Sequence, residues 1–172
     1  MFSGCSSLTS LDVSGWDVSG ASGLSGMFSG CSRLQSLDVS GWDVSGASNL
    51  RCMFQGCSSL TSLDVSGWDV SGASDLFGMF QGCSSLCTVT LGVGCGPLVD
   101  QLPSGPWYDA EGKEFDRPPA GVAGTFTKTK PAALAVAADA ASDADASLSA
   151  QIVEGEQGGL RYVVVPEGAS FE

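Results

Sequence analysis

The stretch MFSGCSSLTSLDVSGWDVSGASGLSG, residues 1–26, decides the fold because it recurs twice with few changes. Its copies are MFSGCSRLQSLDVSGWDVSGASNLRC at residues 27–52 and MFQGCSSLTSLDVSGWDVSGASDLFG at residues 53–78. A fourth copy begins in phase at residue 79 as MFQGCSSLCTVTLGVG and loses the pattern after Leu91. A fixed period of this length indicates a repeat architecture, in which each unit completes the core of its neighbour.

The first half of each unit has the spacing of a leucine-rich repeat. The template L-x-x-L-x-L-x-x-N-x-L is matched, with Trp in place of Asn, by Leu8, Leu11, Val13, Trp16 and Val18. Alternation of apolar and polar residues around the LDV triplet predicts a short, half-buried strand.

The second half of each unit has a different spacing. After Val18, apolar residues follow at three- to four-residue intervals as far as Cys31, which predicts one or two short helical turns. We therefore expect a leucine-rich-repeat-like right-handed solenoid, with short parallel β-strands on one side, short helical turns on the other and a small C-terminal β appendage. Met1 falls in phase with the repeat, so we also expect further coils upstream, in a number that the sequence does not fix.

Tryptophan recurs at one position of the unit, as Trp16, Trp42 and Trp68. The row could be an exposed aromatic platform for sugars or peptides, or it could stack in the core. We favour the core, because large aromatic side chains exposed in every unit would promote aggregation.

Seven cysteines form one row and a few outliers. The row is Cys5, Cys31, Cys57 and Cys83. We favour a ladder of buried thiols there over disulfides or a metal cluster, since side chains in register on a parallel stack point the same way and give poor S–S dihedral angles. Outside the row, Cys87 and Cys95 could bridge the capping loop, and Cys52 is expected to pack or to be a solitary exposed thiol.

Aspartate recurs in two rows, one beginning at Asp12 on the strand and the other at Asp17 after the tryptophan. A calcium ion needs about six to eight converging oxygens, whereas these rows hold single carboxylates separated by apolar residues. We favour a solvated acidic face, or Asp side chains that accept turn N–H groups. The candidate binding face comprises nine polar strand-side residues: Ser10, Asp12, Ser14, Ser36, Asp38, Ser40, Ser62, Asp64 and Ser66.

Composition argues against several classes of function. Seven Lys and Arg against 19 Asp and Glu give a net charge of -12, which would repel the phosphates of nucleic acid and of anionic membranes. The chain has no His, the commonest general base and zinc ligand. No apolar run approaches the roughly 18 residues of a membrane span. We assign no catalytic residue, metal or cofactor, and expect no nucleic-acid partner and no membrane insertion.

Four segments are expected along the chain. Residues 1–96 form the repeat solenoid of three full coils and a capping fourth. Residues 97–130 form a small aromatic β module, with a hairpin from Trp107 to Phe115 around Ala110-Glu111-Gly112 and a third strand from Gly124 to Lys128. Residues 131–150 read as an Ala/Asp/Ser-rich linker, and residues 151–172 as the start of a further β segment.

The run MFSGCSSLTSLDVSGWDVS resembles the 26-residue repeats of BspA-like bacterial surface proteins, whose consensus is roughly MF-x-x-C-x-x-L-x-x-LDLS-x-W/F-x-T-x-x-V-x-x-M. The resemblance covers Met1 to about Leu91, and PWYDAEGKEFDRPPAGVAGTFTKTK looks like the short aromatic tail that often follows such repeats. The resemblance implies an extracellular or cell-surface protein that takes part in adhesion or host contact. It carries over no shared catalytic or ligand-binding residues.

The expected function is therefore a non-catalytic protein-interaction or adhesion module that binds a protein or a host surface receptor of unknown identity. Two alternatives stay open. The chain could be a purely structural spacer that presents a distal domain, or a non-catalytic fragment of a larger surface enzyme.

Overall fold

The computed structural model describes residues 1–131, 155–157 and 160–162. Residues 1–131 belong to one compact unit, Met1–Ala133, and the two short segments belong to a second, Leu134–Glu172. The expected linker at 131–150 lies outside the described residues apart from its first residue. Of the expected β segment at 151–172, the structure describes two antiparallel strands, which we label β6 (Gly155–Gln157) and β7 (Leu160–Tyr162).

The first unit contains a five-stranded mixed sheet between residues 62 and 127, with the strand order β1-β2-β5-β3-β4. The strands are β1 (Ser62–Val65), β2 (Thr88–Leu91), β3 (Trp107–Tyr108), β4 (Glu114–Phe115) and β5 (Gly124–Thr127). The pair β1 and β2 is parallel, and the remaining pairs are antiparallel. A nine-residue 3-10 helix, Val93–Gln101, connects the repeats to β3.

The predicted right-handed leucine-rich-repeat-like solenoid of strand and helical turn is wrong. The described residues form a small mixed sheet with one short helix, and the segments after Val18, Val44 and Val70 contain turns, bends and isolated bridges instead of helical turns. Among the repeats, only the third and fourth contain strands, and isolated parallel bridges join Ser10 to Ser36, Gly23 to Asn49 and Asn49 to Asp75.

Backbone geometry explains why the helical turns do not form. Two glycines of this segment take left-handed φ angles, 61° at Gly26 and 76° at Gly30. In addition, the N–H groups of Gly26 and Phe28 donate to Arg51 and Met53, one repeat further on. Those N–H groups cannot then bond to a carbonyl four residues earlier, as an α-helix requires.

The four repeat segments, named repeat 1 (1–26), repeat 2 (27–52), repeat 3 (53–78) and repeat 4 (from 79), lie side by side in register. Phe2 N donates to Met27 O at 2.8 Å, and the equivalent bond from Phe54 N to Met79 O measures 3.0 Å. On the strand side the direction is opposite, since Gln35 N donates to Thr9 O at 3.0 Å. Each repeat therefore exchanges donors and acceptors with the next.

The core consists of residue rows that cross the repeats. Phenylalanine rings stack at centroid distances of 6.0 Å for Phe2 and Phe28, 5.8 Å for Phe28 and Phe54, and 5.7 Å for Phe54 and Phe80. The core position predicted for tryptophan is confirmed at Trp42 and Trp68, which are 2% and 1% exposed, while Trp16 in repeat 1 is only partly buried.

The predicted tail strands are confirmed. β3 and β4 pair as a hairpin in which Trp107 lies opposite Phe115, and Gly112 N closes the turn onto Asp109 O at 3.1 Å. β5 lies between β2 and β3, so the tail continues the sheet of the repeats through the pairing of Val89 with Phe126. Trp107 is fully buried, and its indole N–H donates to Pro103 O at 2.8 Å.

Candidate binding groove

A shallow open groove of about 590 Å³ runs along the strand side of repeats 1 to 3. Seven of the nine residues predicted for the binding face line it: Ser10, Asp12, Ser36, Asp38, Ser40, Ser62 and Asp64. They come together because β-type backbone alternates its side chains, which sends Leu63 and Val65 into the core and leaves Ser62 and Asp64 exposed. That these residues bind a partner stays a prediction.

The other two predicted residues, Ser14 and Ser66, form hydrogen bonds in the turns that follow the strand segments. Ser14 N donates to Asp12 Oδ1 at 3.1 Å, and its hydroxyl donates to the same oxygen at 2.7 Å. Ser66 N donates to Asp64 Oδ1 at 2.9 Å. Each groove carboxylate therefore fixes its own turn with one oxygen.

Two groove-lining residues were not predicted for the face. Leu11 and Leu37 line the groove together with the polar residues, although the sequence pattern places both in an apolar row facing the core. Leu37 is 6% exposed and Leu11 is partly buried. The alternation of apolar and polar residues predicts which side of the sheet a side chain faces. It does not predict how deep a groove forms between neighbouring segments, so the sequence did not identify Leu11 and Leu37 as lining residues.

Two carboxylates of the groove, Asp12 and Asp38, favour the charged form. The hydroxyl of Ser14 lowers the pKa of Asp12, with a further contribution from the Ser14 N–H. Ser40 lowers the pKa of Asp38 in the same way, while the nearby charge of Asp12 raises it slightly. The carboxylates of successive repeats thus interact, and a cation placed between them would relieve that repulsion.

A second acidic row lies one turn further along, at Asp17, Asp43 and Asp69. Each carboxylate accepts hydrogen bonds within its own turn. In the first turn, Ser19 N donates to Asp17 Oδ1 at 3.0 Å and the Ser19 hydroxyl donates to the same oxygen at 2.6 Å. The hydroxyls of Ser19, Ser45 and Ser71 lower the pKa values of these carboxyls. This row has the same residue type and spacing as the first but does not line the groove.

The groove ends at repeat 4. The register of β1 and β2 places Thr90 beside Asp64, where an aspartate would continue the row. The hydroxyl of Thr90 lies 3.1 Å from that of Thr125 on β5, so the tail occupies the next position along the sheet. The acidic surface is therefore confined to the first three repeats.

The cysteine row is a ladder of free thiols, as predicted. Cys31, Cys57 and Cys83 are buried, and each thiol donates to a phenylalanine carbonyl of the preceding repeat at 3.2, 3.2 and 3.0 Å. Burial raises the pKa of Cys57 to about 12 and that of Cys83 to about 11. These thiols pack as small apolar groups.

The remaining cysteines are also free, so the bridge considered between Cys87 and Cys95 is not formed. Cys87 is exposed, while Cys95 is buried and donates to Val65 O at 3.1 Å. Cys52 is half-buried and has a φ angle of 54°. Within residues 1–131, 155–157 and 160–162, no cluster of three or more Cys, Asp or Glu residues is arranged to hold a metal ion.

A protein-family model matches the chain. The family described as "Mycoplasma protein of unknown function, DUF285" matches residues 1–90, which is more than half of the chain. Neither the curated proteins nor the solved structures contain a match to the chain. Among the described residues, no helix is both long and apolar enough to span a membrane.

Proposed function

The chain belongs to the DUF285 family, and on that premise we propose that it is a non-catalytic protein-interaction module of a bacterial cell surface. Its contact surface is the groove lined by Asp12, Asp38 and Asp64. The resemblance of its repeats to those of BspA-like surface proteins supports the surface location and a role in adhesion.

The observation that carries the proposal is the regular chemistry of the groove. The same Ser and Asp pair recurs in three successive repeats, and each carboxylate is exposed and accepts a hydrogen bond from the serine N–H of its own turn. A surface of this kind suits an extended or repetitive partner that offers a cationic group to each repeat. Its charge would speed the approach of such a partner and disfavour anionic ones.

The geometry favours binding over catalysis. Acid-base chemistry with two carboxyl groups requires different environments that separate their pKa values. Asp12 and Asp38 instead sit in equivalent turns, and both have lowered pKa values for the same reason. The groove is also open along its length, so it does not exclude water from a reacting group.

Two triple variants of equal charge test the proposal. The first changes the groove row, Asp12→Asn, Asp38→Asn and Asp64→Asn, and the second changes the other row, Asp17→Asn, Asp43→Asn and Asp69→Asn. Asparagine keeps the Oδ1 acceptor of each turn. Binding of the fluorescently labelled chain to monolayers of mammalian epithelial cells is measured for the native protein and both variants.

The proposal predicts that the native chain binds the monolayer, that the groove variant loses most of this binding, and that the control variant keeps it. Equal losses in both variants would mean that total charge and not the groove governs binding. Absence of binding by the native chain would contradict the adhesion role.

A further inference from the structure

The groove is a narrow channel between two rows of exposed side chains. One row consists of Ser10, Ser36 and Ser62, and the other consists of Asp12, Asp38 and Asp64. In β1, Ser62 and Asp64 lie two residues apart on the exposed side of the strand, so their Cα atoms are about 6.6 Å apart. A single unbranched methylene chain fits between rows at this separation, whereas a helix, with a diameter of about 10–12 Å, does not.

The two rows repeat along the groove at the spacing of neighbouring parallel strands. Ser10 and Ser36 form a parallel bridge, and Thr61 N donates to Gln35 O at 3.5 Å across the next boundary. Neighbouring strands lie about 4.8 Å apart, so the carboxylates recur at about that interval. Three methylene groups separate two ammonium nitrogens by about 5 Å, because four single bonds of about 1.5 Å in a zigzag span that distance.

Both rows have acceptor atoms that are free to bind a ligand. The three groove carboxylates accept the N–H groups of their turns through Oδ1. Their Oδ2 atoms and the hydroxyls of the serine row form no hydrogen bond with any residue in the described part of the chain. An alkylammonium group has two or three N–H donors, so it can bond to a carboxylate on one side and a hydroxyl on the other.

Leucine residues lie between the two rows. Leu11 follows Ser10 and precedes Asp12 in the chain, and Leu11 and Leu37 both line the groove. Leu11 is partly buried and Leu37 is buried, so they form the floor and not the walls. Methylene groups gain free energy when such a surface removes them from water. An inorganic cation has no methylene groups to place there.

We propose that the groove binds a linear aliphatic polyamine, with one ammonium group at each of Asp12, Asp38 and Asp64 and three-methylene spacers over the leucine floor. The inference rests on the proposed function only in that both use this groove. A bound polyamine neutralises the carboxylates that a cationic protein partner would use, so the two ligands compete.

NMR titration of the ¹⁵N-labelled native chain with dipropylenetriamine tests the proposal. This linear triamine has three-methylene spacers, and at about pH 6 and low ionic strength its amines are protonated while the carboxylates are ionised. Three serine N–H groups report on the groove carboxylates: Ser14, Ser40 and Ser66. Three equivalent groups report on the second acidic row: Ser19, Ser45 and Ser71. The first set should shift to saturation, and the second set should shift much less.

Two other triamines of the same charge test the spacing and the width. In bis(hexamethylene)triamine the nitrogens are about 9 Å apart, so at most two of them can reach groove carboxylates. The branched tris(aminoethyl)amine cannot lie as a single chain between the rows. An exposed ammonium-carboxylate pair contributes up to about fivefold in affinity, so both should bind about threefold or more weakly than dipropylenetriamine.

The two triple variants of equal charge provide the protein control. Asp12→Asn, Asp38→Asn, Asp64→Asn should weaken binding of dipropylenetriamine by about tenfold or more, since all three ion pairs are lost. Asp17→Asn, Asp43→Asn, Asp69→Asn should bind it about as well as the native chain.

Three results would overturn the inference. The first is the absence of a saturable shift in the groove signals, and the second is equal affinity for the three triamines. The third is an equal loss of binding in the two variants, which would mean that net charge alone attracts the amine. Any of these results together with groove-dependent binding to cells would overturn the polyamine site and leave the proposed function standing. Selective binding of dipropylenetriamine without binding to cells would support the polyamine site and contradict the adhesion role.

Discussion

The indole Nε1 of Trp42 donates a hydrogen bond of 3.1 Å to the backbone carbonyl oxygen of Val13, across the boundary between repeats 1 and 2. Trp68 makes the equivalent bond to Val39 at 2.9 Å. In both cases the donor is buried, so the bond satisfies a polar atom that would otherwise lose its hydration without compensation. One residue type therefore supplies both apolar packing and a polar link between neighbouring repeats.

Replacement of Trp42 should cost far more stability than replacement of Asp38. Trp42→Ala removes a side chain that is 2% exposed and stacks on Trp16, which typically costs about 3–5 kcal/mol. Asp38→Asn alters an exposed group and keeps its turn acceptor, so its effect should stay within about 0.5 kcal/mol. Urea unfolding of both variants measures the two free energies of unfolding. Equal midpoints would mean that the tryptophan row does not hold the repeats together.

The thiols should react in an order set by burial. Cys87 is exposed, whereas Cys57 and Cys83 are buried and their pKa values are raised to about 12 and about 11. Because the thiolate is the reactive form, iodoacetamide at about pH 8 should alkylate Cys87 first and reach the two buried thiols only in urea. Peptide mass spectrometry over time gives the order. Labelling of Cys57 as fast as Cys87 in the folded chain would rule out the buried ladder.

Acid should destabilise the repeats through their turn carboxylates. The hydroxyls of Ser19 and Ser45 lower the pKa values of Asp17 and Asp43 in the folded chain, so the folded state binds protons less tightly than the unfolded one. This contribution to stability is present above the unfolded pKa of about 3.9 and is lost as the pH falls through the folded values. The urea midpoint should therefore drop between about pH 5 and pH 2.

The double variant Ser19→Ala and Ser45→Ala is the control for this pH dependence. It removes the hydroxyl donors, so its midpoint should fall less steeply with acid, and NMR titration should find the pKa values of Asp17 and Asp43 closer to their ordinary range. A native midpoint that stays constant or rises below about pH 4 would contradict the role of these turns.

The repeat period made the rows predictable. Because Trp42 and Trp68 recur at one position, their shared burial could be predicted, and the same holds for Cys31, Cys57 and Cys83 in the cysteine row. Turn and strand signals around Gly112 also identified the tail hairpin correctly. These features depend on local spacing and on residue type, both of which are read directly from the chain.

The path of the backbone between strands was not predictable in the same way. The apolar spacing from Val18 to Cys31 fits a helical turn, but Gly26 and Gly30 take left-handed φ angles and nearby N–H groups bond to the next repeat. The spacing of apolar residues indicates which side chains are buried. It does not indicate which carbonyl oxygen accepts the hydrogen bond of each backbone N–H group. For the same reason the pattern missed that Leu11 and Leu37 line the groove.

The association rate of the chain with a ten-residue lysine peptide, measured at low and high salt, tests the central claim that the groove carboxylates attract a cationic partner. Exposed charges more than about 8 Å apart are screened at physiological ionic strength, so the native rate should fall as salt rises. The Asp12→Asn, Asp38→Asn, Asp64→Asn variant should associate slowly with little salt dependence, and the matched variant at Asp17, Asp43 and Asp69 should behave much like the native chain. The same salt dependence in the native chain and the groove variant would contradict the account.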